Sequence, residues 1–157
     1  MKQNKAMTIF LTAFMGICLI GMIFMGIRNR KQRQSILQEG IETVGCVFDR
    51  PSGTGDGGMT TFSVKFDFYV NGELVRGYQQ LSGSNEYERA IIGMKYKVKY
   101  LPEKPNINSI IFINEPIRGE YKNIEKERER IRKTYKNANT FLRKNARPIE
   151  EVEHLFR

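Results

Sequence analysis

The chain has 157 residues with 26 Lys and Arg, 17 Asp and Glu, one His and two Cys, for a formal net charge of +9. That length holds one domain of ordinary size with an accessory segment and leaves two domains cramped. The single histidine, His154 near the C-terminus, excludes a histidine-based triad in a central domain, and two cysteines are too few for a disulfide framework.

The charge is uneven. Residues 1–40 carry six cations against one acid, residues 41–113 carry eight of each, and residues 114–157 carry twelve against eight, so the basic balance belongs to the flanks. From Ala6 to Ile27, AMTIFLTAFMGICLIGMIFMGI has no charged residue. At roughly 1.5 Å per residue this run spans about 33 Å, enough for a hydrocarbon core. It exceeds the apolar core of a signal peptide, ends in IRNRKQRQ without a small-x-small cleavage site, and has Ile17 before Cys18, which argues against lipoprotein processing. Residues 6–27 are therefore expected to cross a lipid bilayer once, with residues 1–33 as anchor and basic flank. Gly16, Gly21 and Gly26 recur every five residues and share no helix face, so no helix-dimer seam is indicated. Arg28, Arg30, Lys31 and Arg33 outweigh Lys2, Lys5 and the terminal amine by about one charge, which favours a cytoplasmic C-terminal part.

Residues 34–115 read as an antiparallel β domain. IETVGCVFDR is expected as the first strand, followed by the glycine-rich PSGTGDGG as a mobile loop. That loop lacks the Lys-Ser/Thr ending of a phosphate loop and precedes a strand, not a helix. Phe62, Val64, Phe66, Phe68 and Val70 alternate with polar or half-polar residues, the period of a strand with one buried face. Asn71-Gly72 follows at once and suits a type I′ turn, with ELVRGYQQ returning as the hairpin partner. SNEYERAIIG offers a Ser84 cap, a short helix and Gly93 as a stop. In KYKVKYLPEKPN, Tyr96, Val98 and Tyr100 share one face while Lys95, Lys97 and Lys99 share the other, expected as the solvated side. Pro102 and Pro105 then set a turn, and INSIIFI supplies the last strand.

A strand ending in VNGE, followed by GMKYKVKYLPEKPNINSII with its V-x-Y-x-P-x-x-P run, resembles a bacterial family of small membrane-tethered β domains of unknown function. The resemblance covers roughly residues 38–113 and implies a five-stranded barrel-like or sandwich-like domain beside a bacterial inner membrane. It carries no active-site residues. Lys104 stands where the family commonly has Asn.

Cys46 is the one thiol outside the span and lacks His or Cys partners at metal spacing, so it reads as a buried structural residue. Asp49, Asp56, Asp67 and Glu73 could serve as paired carboxylates, but three of them flank turns or loops, where such residues serve backbone hydrogen bonding or solubility. No catalytic residue, cofactor or metal is expected. The segment 116–157 is a charged helical tail. Tyr121, Ile124, Arg128, Ile131, Tyr135, Ala138 and Leu142 fall at alternating three and four spacing, predicting one helix that packs on the β domain or on a partner. Between Arg118 and Arg147 eleven cations face four Glu. Lys122, Lys126, Arg130, Lys133 and Lys136 are the candidate residues for a partner or an anionic lipid surface. PIEEVEHLF is expected as a short terminal helix. The fold class is thus mainly β with helical extensions: a transmembrane helix, a small antiparallel domain and a basic helix. Three roles fit this plan: a non-enzymatic interaction or structural module with a protein partner, an immunity or accessory factor for a toxin or secretion system, and, less in keeping with the neutral centre, a nucleic-acid binder on an OB-like barrel.

Overall fold

The computed structural model describes residues 3–54, 58–117, 119–148 and 151. Helix α1 (Gln3–Glu39) runs unbroken for 37 residues and is long and apolar enough to cross a membrane. Its large side chains, among them Phe10, Phe14, Ile20 and Phe24, touch no other part of the protein and stand exposed. Beyond the basic flank the same helix changes neighbours. Ile36 is buried, Gln32 donates a side-chain hydrogen bond to Asn108, and Lys99 Nζ donates to the Leu37 carbonyl at 3.0 Å. The Gly40 N–H returns to the Ile36 carbonyl at 3.0 Å to end the helix, and the first strand begins at the next residue. The anchor therefore passes directly into the domain across the expected boundary at residue 33.

Six strands form one antiparallel sheet: β1 (Ile41–Asp49), β2 (Ser52–Thr54), β3 (Thr60–Val70), β4 (Glu73–Gln80), β5 (Lys95–Tyr100) and β6 (Ser109–Pro116). The order is β2-β3-β1-β5-β6, with β4 paired to the other edge of β3. β2 adds to the five expected strands. It arises inside the glycine-rich segment, where Ser52, Gly53 and Thr54 pair with Phe62, Thr61 and Thr60 past a bulge between Val47 and Asp49. Residues 55–57 of that segment, Asp56 among them, lie outside the described residues. The sheet is open but curled: Gln79 Oε1 on β4 accepts the Ile111 N–H of β6 at 3.0 Å, so its two far edges meet through a side chain.

The concave face holds the core expected from the alternation, with Val64, Phe66 and Phe68 against Tyr96, Val98 and Ile111. The hairpin turn is as predicted, with Asn71 at φ 51° and Gly72 at φ 86°. Helix α2 (Ser84–Arg89) begins after Gly83, and Ser84 makes no side-chain cap; Glu86 Oε2 instead accepts the Ser82 N–H at 2.8 Å. Gly93 lies four residues beyond α2, at φ 89°, in a tight turn closed by the Met94 N–H to the Ile91 carbonyl at 3.1 Å, and its own N–H donates to the Val47 carbonyl of β1 at 2.8 Å. A Cβ there would lie 2.9 Å from the Ile124 carbonyl oxygen, so glycine also admits the tail.

The tail is not one helix. A 3₁₀ turn (Glu120–Asn123) leads into α3 (Ile124–Thr134), the chain extends at Tyr135 (φ −117°, ψ 124°), and α4 (Ala138–Asn145) follows. The predicted stripe survives the break, because Ile124, Ile131, Ala138 and Leu142 are all buried in the same core as the sheet. Arg128, which interrupts that stripe in sequence, is also buried. Its guanidinium reaches the carbonyls of Ile92 (3.1 Å) and Arg147 (2.6 Å) and the Glu125 carboxylate (2.7 Å), so a cation occupies a core position with its donors satisfied. The expected terminal helix, and His154 with it, lies largely outside the described residues.

Candidate functional site: the sheet face beneath the tail

The convex face of β1, β3 and β5 carries Cys46, Asp67 and Lys95 side by side, since Cys46 is the register partner of both others. An isolated sheet would leave these residues in water. Here α3 lies across them and gives β1 its run of buried residues from Gly45 to Asp49, both faces being covered. Tyr135 explains the kink in the tail: its ring stacks on Phe48 with centroids 4.2 Å apart, and its hydroxyl donates to Asp67 Oδ2 at 2.7 Å. A continuous helix could not place both groups there.

Asp67 is 2% exposed and is held by three donors. Arg130 forms a bidentate pair with it, Nη1 to Oδ2 at 3.0 Å and Nη2 to Oδ1 at 2.9 Å, and Tyr135 supplies the third. Arg130 Nε also reaches Glu127 at 2.6 Å. Burial alone would lower the Arg130 pKa, but the bonds to Asp67 and Glu127 outweigh it and hold the guanidinium charged. Lys95 continues the chain of alternating charge to Glu120 (3.0 Å) and Glu127 (3.3 Å). Burial pushes the Cys46 thiol up to about 12, with the Asp67 carboxylate adding to the shift. Such a thiol carries almost no thiolate at neutral pH and makes a poor nucleophile. Burial, then Asp67, likewise raises Tyr135 above the ordinary phenol value. A cleft of about 230 Å³ remains between Val44, Cys46, Asp67, Tyr69 and the α3 side chains Glu127 and Arg130. Its charged groups, Asp67, Lys95, Glu127 and Arg130, are already paired with one another. Among the described residues no group of three His, Cys, Asp or Glu is placed to hold a metal ion.

The five cations singled out from the sequence divide. Lys122, Lys126, Lys133 and Lys136 are exposed, whereas Arg130 is half-buried and its guanidinium is engaged by the buried Asp67. Helical periodicity could not separate them, because the partner carboxylate lies 63 residues away in sequence. The lysine row also departs from expectation. Lys97 pairs with Glu42 (3.0 Å), Lys99 with Glu42 (3.3 Å) and the Leu37 carbonyl, and Lys95 with the tail, so the row joins β5 to its neighbours and is not merely solvated. Asp49, once a conceivable catalytic carboxylate, is paired with Lys65 at 3.0 Å.

Sequence reasoning missed Arg50. It is buried, has no carboxylate partner among the described residues, donates to the carbonyls of Tyr87 (2.8 Å) and Asn145 (3.1 Å), and lies over the Tyr87 ring at 4.4 Å. Burial lowers its pKa. It ties the end of β1 to α2 and α4, a role that no local pattern announces. Further along the convex face, Phe48, Lys65, Arg76, Tyr78, Asn106 and Tyr135 border a shallow hollow of about 370 Å³.

No family model, curated protein or solved structure matches this chain. The likeness to membrane-tethered β domains rests on the order and spacing of its strand motifs alone.

Proposed function

We propose that the chain is a single-pass protein of a bacterial inner membrane whose β domain and tail form a non-enzymatic interaction or structural module on the cytoplasmic surface. The observation that carries this reading is the linker-free junction: α1 continues past its apolar run and is clamped by Ile36, Gln32 and Lys99 to the sheet. A domain held in that way presents fixed surfaces at a fixed height above the bilayer. The absence of catalysis is supported by the saturation of Asp67 and the strongly held proton of Cys46.

The partner face consists of Lys122, Lys126, Lys133 and Lys136, all exposed on the tail. α3 crosses the sheet at the Cys46–Lys95 pair, five positions along the strands from the Ile41–Tyr100 pair where α1 joins, on the order of 16 Å. That separation favours an acidic protein surface over lipid headgroups for these lysines. An accessory factor for a toxin or secretion component is one form of such a partner. In fractionation, the intact chain should need detergent for release and should retain its partner until the four lysines are changed together to Glu. A soluble form trimmed near residue 27 would overturn the anchor. Cys46 is too buried to report sidedness in the native state, so Tyr78→Cys, at an exposed position, is the topology probe; labelling by an impermeant thiol reagent in intact cells would overturn the cytoplasmic placement.

A second reading has one observation in its favour, the aromatic and basic rim of the hollow beside Tyr78. Against it, Lys65 is paired with Asp49 and Arg76 lies over the Tyr135 ring at 4.8 Å. Salt-sensitive binding of a single-stranded oligonucleotide that is lost in Tyr78→Ala would establish this alternative.

A further inference from the structure

The apolar run of α1 ends at Ile27, and Gln32, which touches Asn108, follows five residues later. At ~1.5 Å per residue those positions are separated by about 7.5 Å along the helix axis. The headgroup layer on each side of a bilayer is about 5–7.5 Å deep, half the difference between a total of about 40–45 Å and a core of about 30 Å. Asn108 is therefore held at headgroup depth if α1 crosses the bilayer. The segment it belongs to, Leu101–Asn108, joins β5 to β6 and closes on itself through Leu101 N–H to the Asn108 carbonyl (2.9 Å) and Asn108 N–H to the Lys104 carbonyl (2.7 Å). Those bonds give the loop a defined shape. Next to Asn108 stands Ile107, a branched apolar side chain 65% exposed at a loop tip. Lys104 is exposed on the same loop, and Arg28, Arg30, Lys31 and Arg33 are exposed on the adjoining turns of α1.

We infer that the Leu101–Asn108 loop is a second membrane contact, with Ile107 set among the lipid headgroups beside the anchor. The inference rests on the anchor reading and adds to it a fixed orientation of the domain. The occupant is lipid, because the loop is tied to the helix at the depth where the span emerges. A single exposed isoleucine is ordinary on a soluble domain; beside a bilayer it becomes a wedge, and the surrounding cations suit lipid phosphates. Two contacts fix the tilt of a domain that a lone helix would leave free to rotate.

The chain contains no tryptophan, so a single introduced indole reports one place. Ile107→Trp, Ile20→Trp in the span, and Met59→Trp at an exposed position just before the start of β3 are each reconstituted as full-length protein in vesicles of phosphatidylcholine and phosphatidylglycerol. Lipids carrying a nitroxide near the headgroup or deep in the chain then quench by depth. The indole at 107 should be blue-shifted relative to the indole at 59, lose most of its quenching by aqueous acrylamide, and respond to the shallow nitroxide. The indole at 20 should respond to the deep one. If position 20 responds as expected while position 107 behaves like position 59, the loop contact is wrong and the anchor stands. If position 20 is not quenched from within the bilayer, the anchor itself fails. Quenching of position 107 by the deep nitroxide as strongly as position 20 would also overturn the placement at headgroup depth.

Discussion

Two clusters of ion pairs cross the convex face of the same sheet, and both use lysines from the one strand β5. At the end covered by the tail, Lys95, Glu127, Arg130 and Asp67 meet in a water-poor seam, with Asp67 2% exposed. At the end beside α1, Lys97 and Lys99 share Glu42, whose side chain is 53% exposed. Residue types and distances are alike. Surroundings differ: a buried carboxylate that loses its partner becomes an unpaired charge out of water, whereas an exposed one is rehydrated. Alternating lysines in a sequence thus do not foretell which of them matters.

The largest effect should come from the covered cluster. Arg130→Ala leaves Asp67 with Tyr135 alone and should lower stability by about 3 kcal/mol, the low end of the range for a broken buried pair because Arg130 is itself 27% exposed. Denaturant unfolding of the detergent-solubilised chain measures it, and a loss below about 1 kcal/mol would show the pair to be no stronger than a surface bridge. Next is the dryness of the seam. The Cys46 thiol ionises near 9 when unfolded and at about 12 when folded, so the unfolded chain releases a proton that the folded one keeps. Stability from this group is complete below pH 9 and falls as pH rises toward 12, by about 1.4 kcal/mol per pH unit. Cys46→Ala should flatten that alkaline slope relative to the parent.

Lys95→Gln should cost more than Lys97→Gln and Lys99→Gln combined, because Lys95 pairs with the sheltered Glu120 and Glu127 whereas Lys97 and Lys99 share the exposed Glu42; equal losses would erase the distinction between the clusters. The smallest effect belongs to the open end. Glu42→Gln should change stability the least of these variants and less still in high salt. The Lys97 hydrogen bond holds the Glu42 carboxyl below its ordinary value, and Lys95 does the same for Glu120. Both contributions are present above pH 4.5 and fade as pH falls through the lower folded values, so an acid titration of Glu42→Gln should differ only slightly from that of the parent.

The anchor, the Asn71-Gly72 hairpin and the inner face of β3 were legible because each is a local pattern: an apolar run, a turn dipeptide, an alternation. The packed stripe of the tail was legible for the same reason. The break at Tyr135 was not, since it is set by Asp67 and Phe48, which are distant in sequence. Arg130 looked like one more partner- or lipid-facing cation for the same reason, and Ser84 lost its capping role to the reach of Glu86. Local signals give the elements; the identity of the covered face depends on which residues meet only after the chain has folded.

The central claim is that the tail is a layer of the domain and not a free basic arm. Amide hydrogen exchange on the full chain in detergent tests it most directly. The α3 amides near Ile131 should be protected to the same order as those of β1 and β3 around Val47 and Phe66, and Arg130→Ala should reduce protection in both the helix and β1. Exchange of α3 at the rate of an unstructured chain, with the strands still protected, would contradict the claim.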